Sequence, residues 1–497
     1  MFICHLIKSI QPTHNATKVE TEVSSNLTLI KMIETVVEKL IPKSAKGRDF
    51  VQISSIFVVS IGAFSAGALF AWPSPTIPLL IRNTSYIGQI SIEEASYLSI
   101  LPAASMIASS FLIASATKYI GRKPIIWFMA IPQALSWILI AEAKSITAIY
   151  IARVLNGIGE GILFSIAMAY VGEISTPAVR GTWGNMITCS VALGQLSIAA
   201  VIASMDIVTA AYIHLFAPLL QILLVPFLPE SPHYLMKKGE RENAKIALMR
   251  LRWKTDVDCE LSAMSESIER QRSEAGSFKD LFWIPANRRA LLLVLSLRTF
   301  QQLSGITAFV IYAQYIFELS GARSVSDEVS TIIVFASLFL FLLVCLPVAG
   351  KYSRRLLLTA SSTGCTICLL INVVYFYIQE ETEVDVSDIS WIPLLVMVGY
   401  IAFLSIGLLP LPVLMIGELF ALSIKNHGMF VSTVYLALIM IAFPKILQLL
   451  LSNFSLYVTF LFFTVSCFFS TIFCWFCVPE TKGKTLEEIQ QLLSKTR

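Results

Sequence analysis

The chain has 497 residues, of which 56% are hydrophobic and only 14% are charged, and its formal net charge is +4. Soluble globular proteins have about a quarter of their residues charged, so this composition excludes an ordinary soluble domain. A net charge this small does not suggest a nucleic-acid partner. The composition therefore predicts a protein that faces lipid over much of its surface.

Apolar segments long enough to cross a bilayer, which takes about 20 helical residues, follow one another along the chain. Because backbone groups in lipid must be hydrogen-bonded within the protein, and these runs are too long for barrel strands, we expect helices. The predicted spans cover residues 54–72, 96–117, 124–142, 148–171, 183–203, 208–228, 290–316, 328–349, 355–378, 390–416, 428–450 and 455–477. The predicted fold class is thus all-α integral membrane, with twelve transmembrane helices.

These spans divide the chain into five parts. The parts are a tail of residues 1–50, a six-helix half over 51–228, a linker over 229–289, a second six-helix half over 290–477 and a tail over 478–497. Within the linker, residues Arg241–Trp253 have apolar side chains at helical spacing, at Ala244, Leu248 and Leu251. This spacing predicts an amphipathic helix, and we expect the linker charges to face water and lipid headgroups.

Lysines and arginines are concentrated in the linker, the C-terminal tail and one set of loops. The opposite loops hold little beyond Arg82, Lys144 and Arg323. Because cytoplasmic loops carry the excess of positive charge, we expect both tails and the linker in the cytoplasm, in a multi-pass plasma-membrane protein that is a monomer.

Glycosylation sequons also bear on which side of the membrane each loop faces. Those at Asn83 and Asn453 fall on the predicted outer side, whereas those at Asn15 and Asn26 lie in the tail assigned to the inside. Short sequons arise often by chance, so the charge bias outweighs the two inner sequons, and Asn83 and Asn453 are the candidate glycosylation sites.

Three charged landmarks recur in the same order in the two halves. The pairs are Arg122 with Arg354, Glu173 with Glu418, and Glu230 with Glu480. Recurrence in a fixed order indicates an internal duplication. Two six-helix halves around a site at the membrane midplane are the arrangement of the major facilitator transporters, and this is the fold that the sequence predicts.

The landmark charges lie at predicted cytoplasmic helix ends. There, basic side chains could pair with carboxylates across the seam between the halves and close an inner gate in one conformational state. Membrane topology alone would explain the basic residues, but it does not require Glu173 or Glu418. We therefore favour a gate.

Longer motifs give the chain a specific resemblance. They are Arg153-x3-Gly157-x-Gly159, Tyr170-x2-Glu173 with Arg180-Gly181, Pro229-Glu230-Ser231-Pro232, Gln301-Gln302-Leu303-Ser304-Gly305 and Pro479-Glu480-Thr481-Lys482-Gly483-x-Thr485-Leu486-Glu487-Glu488. From about residue 60 to residue 490 the chain resembles the sugar porter family of the major facilitator superfamily. Pro177 and Trp72-Pro-Ser-Pro75 resemble, more narrowly, the insect facilitated trehalose transporter group.

This resemblance implies a polar cavity at the midplane, where each sugar hydroxyl stripped of water must find a hydrogen-bond partner. Glutamine suits this task because its amide both donates and accepts. In the family the seventh helix supplies such a pair, here Gln301 and Gln302, although a glutamine pair could instead pack helices together. We expect Gln301, Gly305, Ala308 and Tyr312 to share one helical face. The candidate substrate-binding residues are Gln301, Gln302, Thr307, Tyr312, Thr188 and Ser405.

The resemblance also extends to the gate and its hinges. The two prolines of Leu409-Pro410-Leu411-Pro412-Val413 in span 10 match hinge prolines of the family. The candidate gating residues are Arg122, Arg153, Glu173, Arg180, Glu230, Arg354, Arg355, Pro410, Pro412, Glu418, Lys425 and Glu480.

Several positions depart from the family pattern. Thr307 stands where an asparagine is usual, and Thr188 stands where a glutamine is usual. The aromatic residue expected after the second proline of span 10 is Val413, and an asparagine–tryptophan pair expected in span 11 is Leu436-Ala437. These changes predict a cavity that is more apolar than that of a typical hexose carrier.

The charged residues inside the spans bear on energy coupling. Proton-coupled relatives place an aspartate in the first helix opposite the arginine that matches Arg153, but residues 51–80 contain no Asp or Glu. Glu160 lies about 10 Å further along the same helix and could pair structurally or titrate, because intramembrane carboxylates are functional candidates. His214 is interpreted as a packed histidine rather than a proton relay.

Three functions follow as hypotheses. The first is a facilitative sugar transporter that moves trehalose or a hexose by alternating access. The second is a proton-coupled sugar symporter that uses Glu160, and the third is a sugar receptor that binds without transport.

The sequence contains no motif that is typical of other classes of activity. No nucleophile–base constellation, nucleotide-binding loop or metal cluster is apparent, so an enzyme, an ATP-driven pump, a cofactor and a bound metal are not expected. The pair Cys365-x-x-Cys368 has metal-ligand spacing but lies within an apolar run, so we interpret it as structural.

Overall fold

A computed structural model describes residues 49–82, 85–117, 119–273, 276–320, 325–421, 423–482, 484 and 486–495. Within these residues, twelve helices are long and apolar enough to cross a membrane, which confirms the predicted number. Numbered in chain order as spans 1 to 12, they are Phe50–Ile81, Ile92–Ala116, Arg122–Ala141, Ile146–Ile174, Pro177–Ile202, Ile207–Phe227, Pro285–Ser320, Asp327–Cys345, Arg354–Glu381, Ile392–Leu419, His427–Asn453 and Leu456–Phe476.

Shorter helices cover the linker and the C-terminal tail. They are Pro232–Lys238, Arg241–Arg252, Asp258–Ser273, Asp280–Trp283 and Leu486–Lys495. The predicted amphipathic helix is therefore present, and Ala244 and Leu248 are buried in a small core with Val257 and Leu261. We call the end of the bundle that carries the linker the linker end, and the other the far end.

One linker charge is placed differently from the expectation. The Arg252 side chain is buried rather than facing water, because it donates to the carbonyl of Ile174 at 2.8 Å and pairs with Glu260 at 2.7 Å. On the other side of the linker, the Gly276 amide donates to the carbonyl of Ser423 at 3.1 Å. The linker is thus attached to both halves.

Spans 1, 7 and 10 are each interrupted. Span 1 consists of helices Phe50–Ala71 and Pro73–Ile81, span 7 of Pro285–Leu303 and Ile306–Ser320, and span 10 of Ile392–Ile406 and Leu411–Leu419. The first and last interruptions are next to prolines, which lack the amide hydrogen needed for the helical bond. The interruption in span 7 is at Gly305, whose φ of +95° favours glycine.

The seam between the halves is closed at the far end. There, the Gln314 amide donates to Ser74 Oγ at 3.4 Å, Arg82 pairs with Glu318 at 3.6 Å, and Lys445 lies 3.8 Å from Glu93. Each contact joins a residue of the first half to one of the second. These contacts are polar and few, and the ion pairs lie at the surface.

Candidate functional site

A cavity of about 370 Å³ lies between the two halves. Span 1 lines it only as far as Phe70, just before the interruption of that span, whereas Met168 and Gly184 line it at the linker ends of spans 4 and 5. The cavity therefore runs from the middle of the bundle toward the linker end. Both halves contribute to its wall, as expected of a site that changes when the halves move.

The interruption of span 7 brings two predicted residues to the cavity wall. Gln301 Nε2 donates to the carbonyl of Leu409 at 2.8 Å, so Gln301 links the interruptions of spans 7 and 10. Gln302 Oε1 accepts a hydrogen bond from the Thr307 hydroxyl, whereas Gln302 Nε2 has no partner among the described residues. Gln302 therefore has the donor that is open to a ligand, while both ends of the Gln301 amide are occupied.

The other four candidate binding residues do not all reach the cavity. Thr188 and Thr307 line its wall. Tyr312 and Ser405 are 3% and 1% exposed, and neither contributes to the lining. The expected common face of Gln301 and Tyr312 is not formed, because Gly305 interrupts the helix between them and Tyr312 itself has non-helical angles, φ −118° and ψ 16°.

The two prolines of span 10 lie at its interruption. Pro410 precedes the second helix of the span, and Pro412 is in its first turn. Next to them, the Ser361 hydroxyl accepts from the Leu408 amide at 3.0 Å and so satisfies one backbone group outside the helices. The prolines thus lie at a break in the helix, and their role as a hinge stays a prediction.

Most of the cavity wall is apolar. The positions that depart from the family pattern, Val413 and Leu436, both line it, as do Leu409, Leu414 and Met440. In addition to the glutamines of span 7, Asn185 and Gln195 contribute polar groups, and Gln195 Oε1 has no hydrogen-bond partner. A ligand would thus meet a few amide and hydroxyl groups within a largely apolar wall.

An arginine that sequence reasoning did not single out also lines the cavity. Arg298 lies one helical turn before Gln301, is 8% exposed, and donates from Nη1 to Gln301 Oε1 at 2.9 Å. A basic residue within a membrane span is a functional candidate in itself. That rule would have identified Arg298 from the sequence.

Glu160 also lines the cavity and is 3% exposed. Asn156 Nδ2 donates to its carboxyl at 2.9 Å, and Arg153 is near enough to act on it electrostatically. Among the described residues of span 1 there is no Asp or Glu. The carboxyl of Glu160 therefore already has a cationic and an amide neighbour.

Arg153 connects spans 1, 2 and 4 rather than the two halves. Its Nη1 donates to the carbonyl of Leu69 at 2.5 Å, and its Nε donates to the carbonyl of Leu98 at 2.7 Å. In a regular helix these carbonyls would accept from residues 73 and 102, but both are prolines without an amide hydrogen. Arg153 thus satisfies two carbonyls that prolines leave free.

A charged cluster lies at the linker end of the first half. Arg122 Nε is 3.1 Å from Glu173, and Glu230 accepts from the backbone amides of Arg122 and Lys123 at 2.9 and 3.2 Å. These amides belong to the first turn of span 3, where helices lack internal acceptors. A Cβ at position 121 would come within 2.0 Å of Glu230 Oε2, which explains the glycine there.

The second half repeats this geometry. Arg354 Nη2 is 3.0 Å from Glu418, and Glu480 accepts from the Arg354 amide at 3.1 Å and from the Ser353 hydroxyl. Burial raises the pKa of Glu230. At Glu480 burial acts in the same direction, but the hydrogen bonds from Ser353 and from backbone amides outweigh it and lower the pKa.

The remaining gating candidates also bond within their own half. Arg180 donates to the carbonyl of Ser175 at 3.2 Å, and Lys425 donates to that of Gly417 at 3.3 Å. Arg355 donates to the carbonyl of Trp475, and its guanidinium lies 5.2 Å from the centre of the Trp475 ring.

The expected pairing across the seam is absent from the described residues in this conformation. Each half instead forms its own cluster, because the carboxylate nearest to each arginine belongs to the same half. At the seam itself the near neighbours have the same sign: burial and then the charge of Arg180 lower the pKa of Lys425.

Other predicted features occupy ordinary structural positions. His214 stacks against Trp137 and bonds to the carbonyl of Ala210 at 2.8 Å, and Cys365 and Cys368 are buried free thiols. Asn453 is exposed at the last residue of span 11, and Asn83 lies outside the described residues.

Comparison with known proteins places this geometry in a family. The profile described as "Sugar (and other) transporter" matches residues 54–493. A facilitated trehalose transporter, Tret1, from Polypedilum vanderplanki is 32% identical over 89% of this chain and 88% of its own length. The Tret1 of Drosophila willistoni is 31% identical over 89% of this chain, which spans 51% of that longer protein.

A solved structure has the same architecture. The inward open conformation of the xylose transporter XylE from E. coli superposes with a TM-score of 0.74 and 20% identity, covering 89% of this chain and 99% of that one. The likeness confirms the predicted fold, the major facilitator arrangement of twelve membrane helices. The chain is therefore a multi-pass membrane protein that belongs to the sugar (and other) transporter family.

Proposed function

We propose that this protein is a facilitative transporter of sugars, trehalose or a hexose, that works by alternating access. One observation carries the proposal: the cavity at the interruptions of spans 7 and 10 contains an available glutamine amide, opens toward one end and is closed at the other. The relatives named as trehalose transporters support the choice of substrate. A receptor would need no such asymmetric passage between two halves.

The ion pairs that close the far end are weak. Arg82 and Glu318 keep 57% and 41% of their side chains exposed, and exposed ion pairs contribute only about 0–1 kcal/mol. Opening this end therefore costs little beyond the separation of packed side chains. In the opposite state, the carboxylates of the two charged clusters would approach the basic residues of the other half, including Arg180 and Lys425, and form the inner gate.

The proposed orientation follows the positive-inside tendency. The linker end and both termini face the cytoplasm, the far end faces outward, and the protein lies in the plasma membrane. Asn83 is then the glycan acceptor to test first, since only two residues separate Asn453 from the next helix. The measurement is the change in gel mobility when glycans are removed enzymatically. If Asn83→Gln abolishes this change, the orientation is supported. If Asn26→Gln abolishes it, the orientation is contradicted.

Proton coupling through Glu160 is the second candidate, because this carboxyl lines the cavity. Asn156 and Arg153 already compensate it, and the described part of span 1 offers no acidic partner. A pH gradient should therefore not drive accumulation. Uptake against a sugar gradient that collapses with a protonophore would instead favour the symporter.

The test is counterflow of labelled trehalose, glucose and fructose into liposomes that contain the full chain. We expect saturable counterflow of at least one sugar, unchanged by a pH gradient. Gln302→Ala should reduce it at least about tenfold, as expected for loss of a polar contact to a desolvated hydroxyl. Gln379→Ala, which removes a glutamine outside the cavity lining, serves as the control. Binding without counterflow would contradict the proposal.

A further inference from the structure

The guanidinium of Arg298 has an unused edge. Its Nη1 donates to Gln301 Oε1, but its Nε is buried without a partner, and no hydrogen bond from Nη2 to a described residue is formed. No Asp or Glu among the described residues forms an ion pair with it. Nε and Nη2 form the fork that binds a carboxylate through two parallel hydrogen bonds.

The charges that line the cavity also single out Arg298. Among the described lining residues, Arg298 and Glu160 have ionisable charges. The charge of Glu160 is offset by Arg153, which lines a small adjoining pocket with it. The charge of Arg298 has no such neighbour among the described residues, none of which forms an ion pair with it or acts on it through its charge. The cavity therefore carries one uncompensated positive charge.

Such a charge is costly to keep in a membrane protein. A buried cation without a counter-ion loses its hydration, and one hydrogen bond to a neutral amide recovers only part of that loss. Positioning Gln301 does not require it, because Gln301 is also held by the Leu409 carbonyl at 2.8 Å and a neutral amide could donate equally well. The cost is offset if the transported ligand supplies the missing negative charge.

We propose that the cavity accepts an organic anion with a single carboxylate, of the sugar acid class, and that Arg298 binds its carboxylate. This inference rests on the proposed transport function and extends its substrate class from neutral sugars to sugar acids. One cation matches a monoanion better than a phosphate dianion. The amides of Gln302 and Gln195 can form hydrogen bonds with its hydroxyl groups.

The experiment uses the full chain in liposomes, with labelled glucuronate and labelled glucose as a matched anionic and neutral pair. We expect unlabelled glucuronate to compete with either label more strongly than glucose does, and glucose 6-phosphate to compete less than glucuronate. Glucuronate entry should increase when a potassium gradient with valinomycin makes the interior positive, because the carried species is an anion.

Substitutions at Arg298 test whether this side chain binds the carboxylate. Arg298→Gln should lower the ratio of glucuronate to glucose flux at least about tenfold, since hydrogen bonds to charged groups are the stronger ones, and Arg298→Lys should lower it less. Arg288→Gln, an exposed arginine of the same helix outside the cavity, should leave the ratio unchanged.

Two failures can be told apart. If glucose moves but glucuronate neither moves nor competes, this inference is wrong while the transport proposal stands. If neither sugar moves, the proposed function itself fails. An unchanged flux ratio in Arg298→Gln would also overturn the inference, and the competition measurement on the unmodified chain holds even if that variant does not fold.

Discussion

Arg153 illustrates how a single buried side chain compensates for backbone irregularity. Two prolines, Pro73 and Pro102, remove the amide hydrogens that would satisfy Leu69 and Leu98, and the Arg153 guanidinium donates to both carbonyls. Because unsatisfied backbone groups in lipid cost several kcal/mol, the arginine and the prolines form one unit. Its resemblance to a family arginine that faces a proton-coupling aspartate therefore does not require a coupling role here.

A double-mutant cycle tests this unit. Arg153→Gln should destabilise the protein by about 1–3 kcal/mol for each carbonyl left without a donor. In a Pro102→Ala background the loss should fall by about half, because residue 102 regains an amide hydrogen for Leu98. The measurement is the apparent melting temperature of the full chain in detergent, compared within the cycle.

The control background is Pro132→Ala, which removes a helical proline from span 3 that Arg153 does not serve. There the cost of Arg153→Gln should stay the same as in the parent. An equal cost in the Pro102→Ala background would show that Arg153 acts in some other way, for example through its contact with the Trp72 ring, 6.0 Å from the guanidinium.

Interrupted helices are the elements that build the site. The interruptions of spans 7 and 10 face each other, and Gln301 joins them through its bond to Leu409. At Gly305 the backbone has φ +95°, and an added Cβ would come within 2.7 Å of the Phe309 ring. A helix that ran straight through this point would turn Gln302 and Thr307 away from their present contact.

Gly305→Ala should therefore be costly. A positive φ costs a residue with a Cβ about 1–2 kcal/mol, and the approach to Phe309 adds to this, so we expect a lower melting temperature and reduced sugar counterflow. Gly172→Ala is the matched control, because Gly172 is helical and no atom lies within 4 Å of its added Cβ. Equal effects of the two substitutions would show that the positive φ is not what matters.

The sequence predicted elements better than contacts between them. The twelve spans follow from hydropathy, yet span 1 extends to Ile81 rather than residue 72, because a helix can restart at Pro73. Helical spacing places Tyr312 on the face of Gln301 only in an unbroken helix, and Gly305 breaks this one. Arg298 is recognisable in the sequence as a basic residue within a span, but its contact with Gln301 and its place in the cavity wall depend on tertiary packing.

At the scale of the whole molecule, two duplicated halves enclose a cavity whose accessible end depends on their relative tilt. The Arg122–Glu173–Glu230 cluster and its repeat at Arg354, Glu418 and Glu480 hold each half together as a rigid body. Rigid halves that meet through helix packing and only a few polar contacts at the seam can rock against each other. The duplication was predictable from the order of the charges, whereas the partner of each charge required the structure.

The most direct test of alternating access is two-sided labelling of one cavity residue. Val413 lines the cavity and is 40% exposed, and Val413→Cys would be made in a chain without other cysteines. Intact cells and inside-out vesicles are then treated with an impermeant maleimide, with and without sugar. A second chain that keeps only the native linker residue Cys259, which is exposed, reports the linker side alone.

We expect the cysteine at position 413 to react from both sides, at rates that sugar changes, while Cys259 reacts only from the cytoplasmic side. Reaction of position 413 from one side only, whatever sugar is added, would contradict the account of this protein as a transporter.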